Sequence, residues 1–238
     1  MPLRALIFDV DGTLAETEET HRAAFNLAFA EAGRSWDWTV DIYRDLLRVT
    51  GGQRRIRHYV DMIGGEVTAQ DIAVLHARKN ARYADMLARG GVMLRPGVAR
   101  LIDEARGAGL RLAIATTTSR SNFDALLTHL FAPGAASWFD AIITGEDVVA
   151  KKPDPEAYAL ALAALDLDAA ACVAFEDSYN GLLAAAACGI PTVATPSCYT
   201  AHEQFTGASL VRADLDHPAP VDLPVLRAIA EARADRQP

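Results

Sequence analysis

Asp9 and Asp11 stand two residues apart after an apolar run, Leu6-Ile7-Phe8, and are followed by Gly12-Thr13. The run reads as a strand buried on both faces. Residues two apart on a strand face the same side. The pair is therefore delivered together to the carboxyl end of a sheet, where open α/β folds place ligands. Two carboxylates this close repel, and they are tolerated around a cation or with a proton held on one of them. An EF-hand loop needs glycine at its sixth position and glutamate at its twelfth. Counted from Asp9, Gly12 falls fourth and Thr20 twelfth, so that reading fails. A bare D-x-D is as readily an acidic turn after an edge strand, so the weight falls on what lies downstream.

Three later segments supply partners. Thr116 follows the apolar strand Leu110 to Ala115, which turns its hydroxyl and the following N–H groups, Thr117 first, toward the same crevice; alone it would be a helix cap. Lys151-Lys152-Pro153-Asp154-Pro155 opens a helix. A lysine there runs against the helix dipole, and an anion held between Lys152 and the helix start would account for it. Phe175-Glu176-Asp177 ends another strand in two carboxylates. Alone these would cap a helix; with Asp9 and Asp11 they form an oxygen-rich cage suited to Mg²⁺.

The elements that must position these groups fall into two blocks. From Glu16 to Gly90 the chain has helical periodicity and no proline. Helices are expected over Thr20 to Ala32 (with Gly33 as C-cap), Asp41 to Arg48, Arg54 to Ile63 and Ala69 to Ala88. After Leu94-Arg95-Pro96-Gly97, short apolar strands alternate with amphipathic helices: Val98 to Ala108, Asn122 to Phe131, Pro155 to Leu165, Gly181 to Cys188 and Val225 to Ala234. Such alternation implies a parallel sheet with helices on both faces. The expected fold is α/β, a Rossmann-like parallel core formed by residues 1–15 and 94–238, with an inserted all-helical cap domain at 16–93. A loose tail is expected from Ala232.

Composition narrows the function. With 238 residues, 51% of them apolar, a sizeable core can form. The net charge of −8 argues against a nucleic-acid or membrane-surface partner. An anionic substrate then needs a metal or locally gathered basic groups. Cys172, Cys188 and Cys198 have no metal-ligand spacing and read as reduced thiols in or near the core. There is no leader-like start and no apolar stretch of membrane-spanning length. A soluble, cytoplasmic, monomeric protein is expected.

Taken in order, D-x-D-G-T, a threonine after a strand, K-P and E-D resemble the four motifs of the haloacid dehalogenase superfamily of phosphotransferases, over essentially the whole chain. The helical insert resembles the small cap of β-phosphoglucomutase. DVDGTLAETEE, the TGG at Thr50 and AKKPDPEAY are similar to the CbbY group, whose members resemble phosphatases acting on xylulose 1,5-bisphosphate and are found with Calvin-cycle genes. The resemblance implies that Asp9 attacks phosphorus and becomes an aspartyl phosphate. Asp11 protonates the leaving oxygen and then activates water. It also implies Mg²⁺ held by Asp9, the Asp11 carbonyl and Asp177 with Glu176 nearby, and phosphoryl oxygens held by Thr116 and Lys152. Dehalogenase and phosphonatase branches lack an acid at the Asp11 position.

Specificity is expected from the insert. Arg44, Arg48, Arg54, Arg55 and Arg57 crowd one stretch against a single acid, Asp45, which in an acidic chain reads as a second-phosphate site. Arg54 and Arg55 lie about 100° apart on a helix, so the five cannot all face inward. By position, Glu18, His21, Tyr43, Arg44, Gly52 and Arg55 match cap residues that bind substrate in the resembling proteins, with Asn122 a further contact. Gly51 falls where β-phosphoglucomutase has a lysine, which counts against a mutase. The expectation is a Mg²⁺-dependent phosphatase of a small phosphorylated sugar, a bisphosphate. A sugar phosphomutase is the nearest rival, and a non-catalytic phosphate-binding module is the rival from another class. A receiver domain shares the acid–lysine pattern but has no use for the insert.

Overall fold

The computed structural model describes residues 2–234. Six strands form one parallel sheet in the order β3-β2-β1-β4-β5-β6. They are β1 (Ala5–Phe8), β2 (Arg111–Ala115), β3 (Ala141–Ile143), β4 (Cys172–Glu176), β5 (Thr192–Ala194) and β6 (Leu210–Val211). The helices of this layer are α5 (Val98–Gly107), α6 (Arg120–Leu130), α7 (Glu156–Leu165), α8 (Tyr179–Ala187) and α9 (Leu223–Ala234). The chain is thus α/β with a Rossmann-like parallel core, as the alternation of its strands and helices predicts.

The two faces of the sheet are built differently. Along β1, Leu6 and Phe8 join Leu112, Ile114, Val173 and Phe175 on one face, and Phe8 stacks on Phe175 at 4.5 Å between ring centroids. Ala5 and Ile7 face the other side with Ala113, Ala115 and Ala174, against Ala157, Tyr158, Ala161, Ala184 and Ala185 of α7 and α8. The period of two sets this division. Small residues on the second face let α7 and α8 approach the sheet closely and bring Tyr158 and Lys152 beneath the strand ends.

Four helices lie between β1 and α5: α1 (Glu18–Glu31), α2 (Val40–Leu46), α3 (Gly52–Met62) and α4 (Ala69–Ala88). They enclose their own cluster of Phe25, Phe29, Trp38, Tyr43, Leu46, Ile56, Val60, Ile72 and Leu75, joined by Tyr199 from the sheet layer. Gly33, at φ +68°, turns the chain just beyond the C-cap of α1, where the Arg34 N–H returns to the Phe29 carbonyl. The Gly51-Gly52 pair opens a helix: Gly51 caps α3 at φ +90°. Where a loose tail was expected from Ala232, α9 runs on through Ala234; residues 235–238 lie outside the described residues.

Candidate active site

The ends of β1 and β4 pair in register at Phe8 and Phe175, so the residues that follow emerge side by side. Asp9, Glu176 and Asp177 present carboxylate oxygens within 4.8 Å of one another, all buried. Lys152 is buried among them. Its ammonium donates to Asp9 Oδ1 at 2.7 Å, to the Ala115 carbonyl at 2.7 Å and to Glu176 Oε1 at 2.5 Å. Burial opposes the lysine's charge, but Asp9 and Glu176 outweigh it and hold the ammonium well above its ordinary pKa. Lys152 is thus engaged by the strand-end carboxylates, with its ammonium 5.0 Å over the ring of Tyr158 in the first turn of α7. Glu156, at the start of α7, accepts the N–H groups of Val149 and Ala150 from the preceding loop, and its own N–H is taken by Asp154 Oδ1.

The carboxylates outnumber the ammonium. Burial, with Glu176 and Asp11 adding to it, pushes Asp9 up to about 7 against the pull of Lys152, and burial and the neighbouring carboxylates push Asp177 up as well. Glu176 Oε1 also accepts from the Tyr158 hydroxyl at 2.5 Å, while Oε2 is buried without a partner. A buried, under-compensated set of hard oxygen donors suits a divalent cation such as Mg²⁺ or Ca²⁺. Two glycines make room for the set. A Cβ at Gly12 (φ +79°) would lie 2.3 Å from Asp177 Oδ2, and one at Gly181 would overlap the Glu176 carboxylate.

Asp11 belongs to a different network. Its Oδ1 accepts from the Thr17 hydroxyl at 2.6 Å and from His21 Nε2 at 2.9 Å. Lys79 Nζ lies 2.6 Å from His21 Nδ1. An ammonium can only donate, so Nδ1 accepts, the ring proton sits on Nε2, and His21 is neutral. Burial and the Lys79 charge lower the His21 pKa, in keeping with that state. Burial alone would raise Asp11, but His21, Thr17 and Lys79 together hold it well below the usual carboxylate range. Lys79 itself, desolvated and near Arg55, is drawn down to about 7.

Above both networks lies a cavity of about 410 Å³ between the sheet ends and the helical insert. Of the residues singled out in the sequence, Asp9, Asp11, Glu18, His21, Gly52, Arg55, Thr116, Thr117, Asn122, Lys152 and Asp177 line it. Glu176 lies just beneath. Tyr43 is buried behind the wall, its hydroxyl donating to Glu18 at 2.7 Å and receiving Arg55 at 3.0 Å. Arg44 is not brought to the cavity. The buried face of α2 carries Tyr43 and Leu46, which turns Arg44 outward onto Asp41 at 3.0 Å. Arg48 likewise sits over Asp45, 72% exposed. Of the five arginines, Arg54 and Arg55 reach the cavity.

Composition and motif hid several lining groups: Lys79, His76, Glu146 and Asn180. Lys79 left one signal. It falls on the apolar stripe Ile72, Leu75, Lys79, Tyr83, Leu87 of α4, where a charge has no packing reason to be. His76 is pushed down to about 3, first by burial and then by the charges of Lys79, Arg55 and Lys151. The thiols are free, and Cys198 is exposed rather than in the core. Among the described residues, no helix is long and apolar enough to cross a membrane.

Comparison with known proteins agrees with this geometry. Residues 3–189 match the model of the haloacid dehalogenase-like hydrolases. The chain is 50% identical to protein CbbY of Rhodobacter capsulatus over 226 residues, covering 95% of this chain and 100% of that one. The crystal structure of CbbY from Rhodobacter sphaeroides in complex with phosphate superposes with a TM-score of 0.86 at 46% identity, covering 89% of this chain and 94% of that one. A point variant of the same protein, in complex with xylulose-(1,5)bisphosphate, matches equally well. β-Phosphoglucomutase from Clostridium difficile shares the fold, with a TM-score of 0.82 at 17% identity over 98% of this chain and 100% of that one. With two opposed acid networks beneath one cavity, and with relatives matched along nearly its full length, the chain belongs to the haloacid dehalogenase-like hydrolases as a CbbY-like phosphatase.

Proposed function

We propose that this phosphatase hydrolyses a small sugar bisphosphate, xylulose 1,5-bisphosphate before others, through an aspartyl phosphate on Asp9. The observation that carries the reading is the pairing of the Asp9–Lys152–Asp177 cluster with a cavity whose opposite wall holds Arg54, Arg55, His76 and Lys79. One end is built for phosphoryl transfer, and at the other Arg54 and Arg55 offer positive charge to a second anionic group. The solved CbbY complex with xylulose-(1,5)bisphosphate supports that substrate class.

Asp9 attacks phosphorus while Lys152 restrains its carboxylate and, with the Thr116 hydroxyl, faces the phosphoryl oxygens. Asp11, held by Thr17 and His21, serves the leaving oxygen as acid and the hydrolytic water as base. A dianionic phosphoryl group arriving beside it raises its affinity for a proton, which moves it from the ionised resting form toward the acid form. Asp9, Asp177 and the Asp11 carbonyl would hold Mg²⁺, with Glu176 behind them; the ion supplies charge neutralisation between nucleophile and phosphate. Residues 16–93 act as a mobile cap domain over a core of 1–15 and 94–238, and the enzyme works as a cytoplasmic monomer on small phosphorylated sugars.

The test is phosphate release with Mg²⁺ across sugar mono- and bisphosphates, including xylulose 1,5-bisphosphate and β-glucose 1-phosphate. A kcat/KM at least about 100-fold higher for one ketose bisphosphate, as two or more charge-assisted hydrogen bonds would give, is the expected result. Isomerised sugar phosphate without net phosphate release would mean a mutase and overturn the reading.

A further inference from the structure

The loop at 49–51 crosses from the helical insert to the sheet side and lands on the catalytic lysine. Thr50 donates its hydroxyl to the carbonyl oxygen of Lys152 at 2.7 Å. Below, the ammonium of that same residue is committed to Asp9, the Ala115 carbonyl and Glu176. Lys152 is therefore gripped at both ends, its side chain by the core and its backbone by the insert. The neighbouring glycines are shaped for this seat. A Cβ at Gly51 would meet Lys151 Cδ at 2.9 Å, and one at Gly52 would meet His76 Nε2 at 2.4 Å. Bare backbone at Gly51 lets the loop settle onto Lys151, and bare backbone at Gly52 leaves room for His76 of α4. Alongside, Asn180, three residues beyond Asp177, reaches the Arg48 carbonyl at 3.4 Å.

We propose that Thr50 is a positioning residue of the phosphatase reaction: when the cap closes, its hydroxyl takes the Lys152 carbonyl and so completes the restraint that Lys152 places on the Asp9 nucleophile. With the cap open, that carbonyl is left to water. With it closed, lysine backbone and ammonium are both fixed, and the side chain between them loses the freedom to drift. Displacements well under an ångström matter to a nucleophile. The contact is made to backbone and not to substrate, so its effect is blind to which sugar is bound. Thr50 lines the cavity as Arg55 does, but its hydroxyl is given to the Lys152 carbonyl rather than left for substrate. The proposal rests on the reading of Asp9 as nucleophile and Lys152 as its restraint.

The test compares wild type with Thr50→Val and Thr50→Ser on a sugar monophosphate and on xylulose 1,5-bisphosphate. Thr50 is half-buried and its side-chain shape is kept by valine, so both variants should fold. Losing one neutral hydrogen bond at closure predicts a kcat about five- to tenfold lower in Thr50→Val, by the same factor on both substrates, with KM within about twofold. Thr50→Ser should return kcat to within about twofold of wild type, since serine restores the donor. A threonine that merely supports the fold would lower the melting temperature and leave kcat of the folded enzyme alone. Small-angle scattering, with and without inorganic phosphate, reads the latch separately: Thr50→Val should show the larger radius of gyration. An unchanged kcat, a loss confined to the bisphosphate, or a loss that serine does not repair would each overturn the proposal. If wild type itself releases no phosphate from either substrate, the functional reading fails, and equal scattering curves for wild type and Thr50→Val would then overturn the latch on its own.

Discussion

On the sheet side of the cavity, three buried carboxylates are gathered around one ammonium. On the helical side, Lys79, His76, Arg54 and Arg55 face the same space with Glu18 among them. The sheet-side groups sit at or just beyond the ends of adjacent strands, whose register fixes them to one another. The helical-side groups come from three helices, and whether each faces inward depends on how those helices pack. The first arrangement suits chemistry on a group common to every phosphate ester. The second suits discrimination, because single side chains can turn in or out without disturbing the acids below. Substitutions on the two sides should therefore fail differently.

The largest effect belongs to the sheet side. Asp9→Asn should lower phosphate release by at least about 10⁴-fold on every substrate, as loss of a covalent nucleophile does. Removing divalent metal with a chelator should abolish activity equally across substrates, and Mg²⁺ should restore it. Turnover surviving Asp9→Asn would sink the covalent mechanism. Lys152→Ala comes next, with kcat down about 10²- to 10³-fold. It also leaves Glu176 and Asp9 buried without their cation, so urea unfolding should show a loss of about 3–5 kcal/mol.

Arg55→Ala carries the comparison to the other wall. Arg55 donates to the Tyr43 hydroxyl at 3.0 Å and lines the cavity. A charge-assisted contact to a distal phosphate predicts a rise of about 10- to 100-fold in KM for a bisphosphate and little change for a monophosphate. Equal losses on both would make Arg55 a structural partner of Tyr43 instead.

How far each side could be read from sequence follows the same division. Asp9, Asp11, Glu176 and Asp177 stand directly after apolar runs, so a strand assignment carries its own prediction of where the acids go. The helix at Ala69–Ala88 matches the expected bounds, because its periodicity ends abruptly. Helix starts are less legible: α1 begins at Glu18 and α6 at Arg120, two residues before expectation, since first-turn residues carry no apolar signal. On the helical side a string of arginines shows basicity but not direction. Lys79 and His76 lie outside the arginine stretch, and only the packing of α4 against α1 brings them to the site.

Lys79 tests whether the helical wall gives up stability for its charge. Its ammonium is buried between Phe25 and Tyr83, and desolvation draws its pKa down to about 7. In the unfolded chain it titrates near the ordinary lysine value. Between these values the unfolded state binds the extra proton, so stability rises with pH from about 7 upward. Between pH 7 and 9 this adds up to about 1.4 kcal/mol per pH unit. Lys79→Met should remove that slope and raise the melting temperature at pH 7 by a few degrees, since an apolar side chain replaces a buried charge. The same variant should lose about tenfold in kcat/KM, because His21 is left without its donor. A melting temperature that falls at pH 7 would show that the His21–Lys79 contact stabilises more than burial of the charge costs.

Arg44 gives the smallest expected effect and the sharpest check on how the wall is drawn. Position alone suggested a substrate contact for it. The geometry of α2 does not support that role, because Tyr43 and Leu46 occupy the buried face and Arg44 lies over Asp41 on the outer surface. An exposed i,i+3 ion pair contributes about 0.3–0.5 kcal/mol. Arg44→Ala should therefore leave kcat/KM within about twofold of wild type on mono- and bisphosphates alike and barely move the melting temperature. A selective loss on the bisphosphate, comparable to that of Arg55→Ala, would mean that α2 rotates when substrate binds, and the discriminating wall would then include the whole turn from Tyr43 to Leu46.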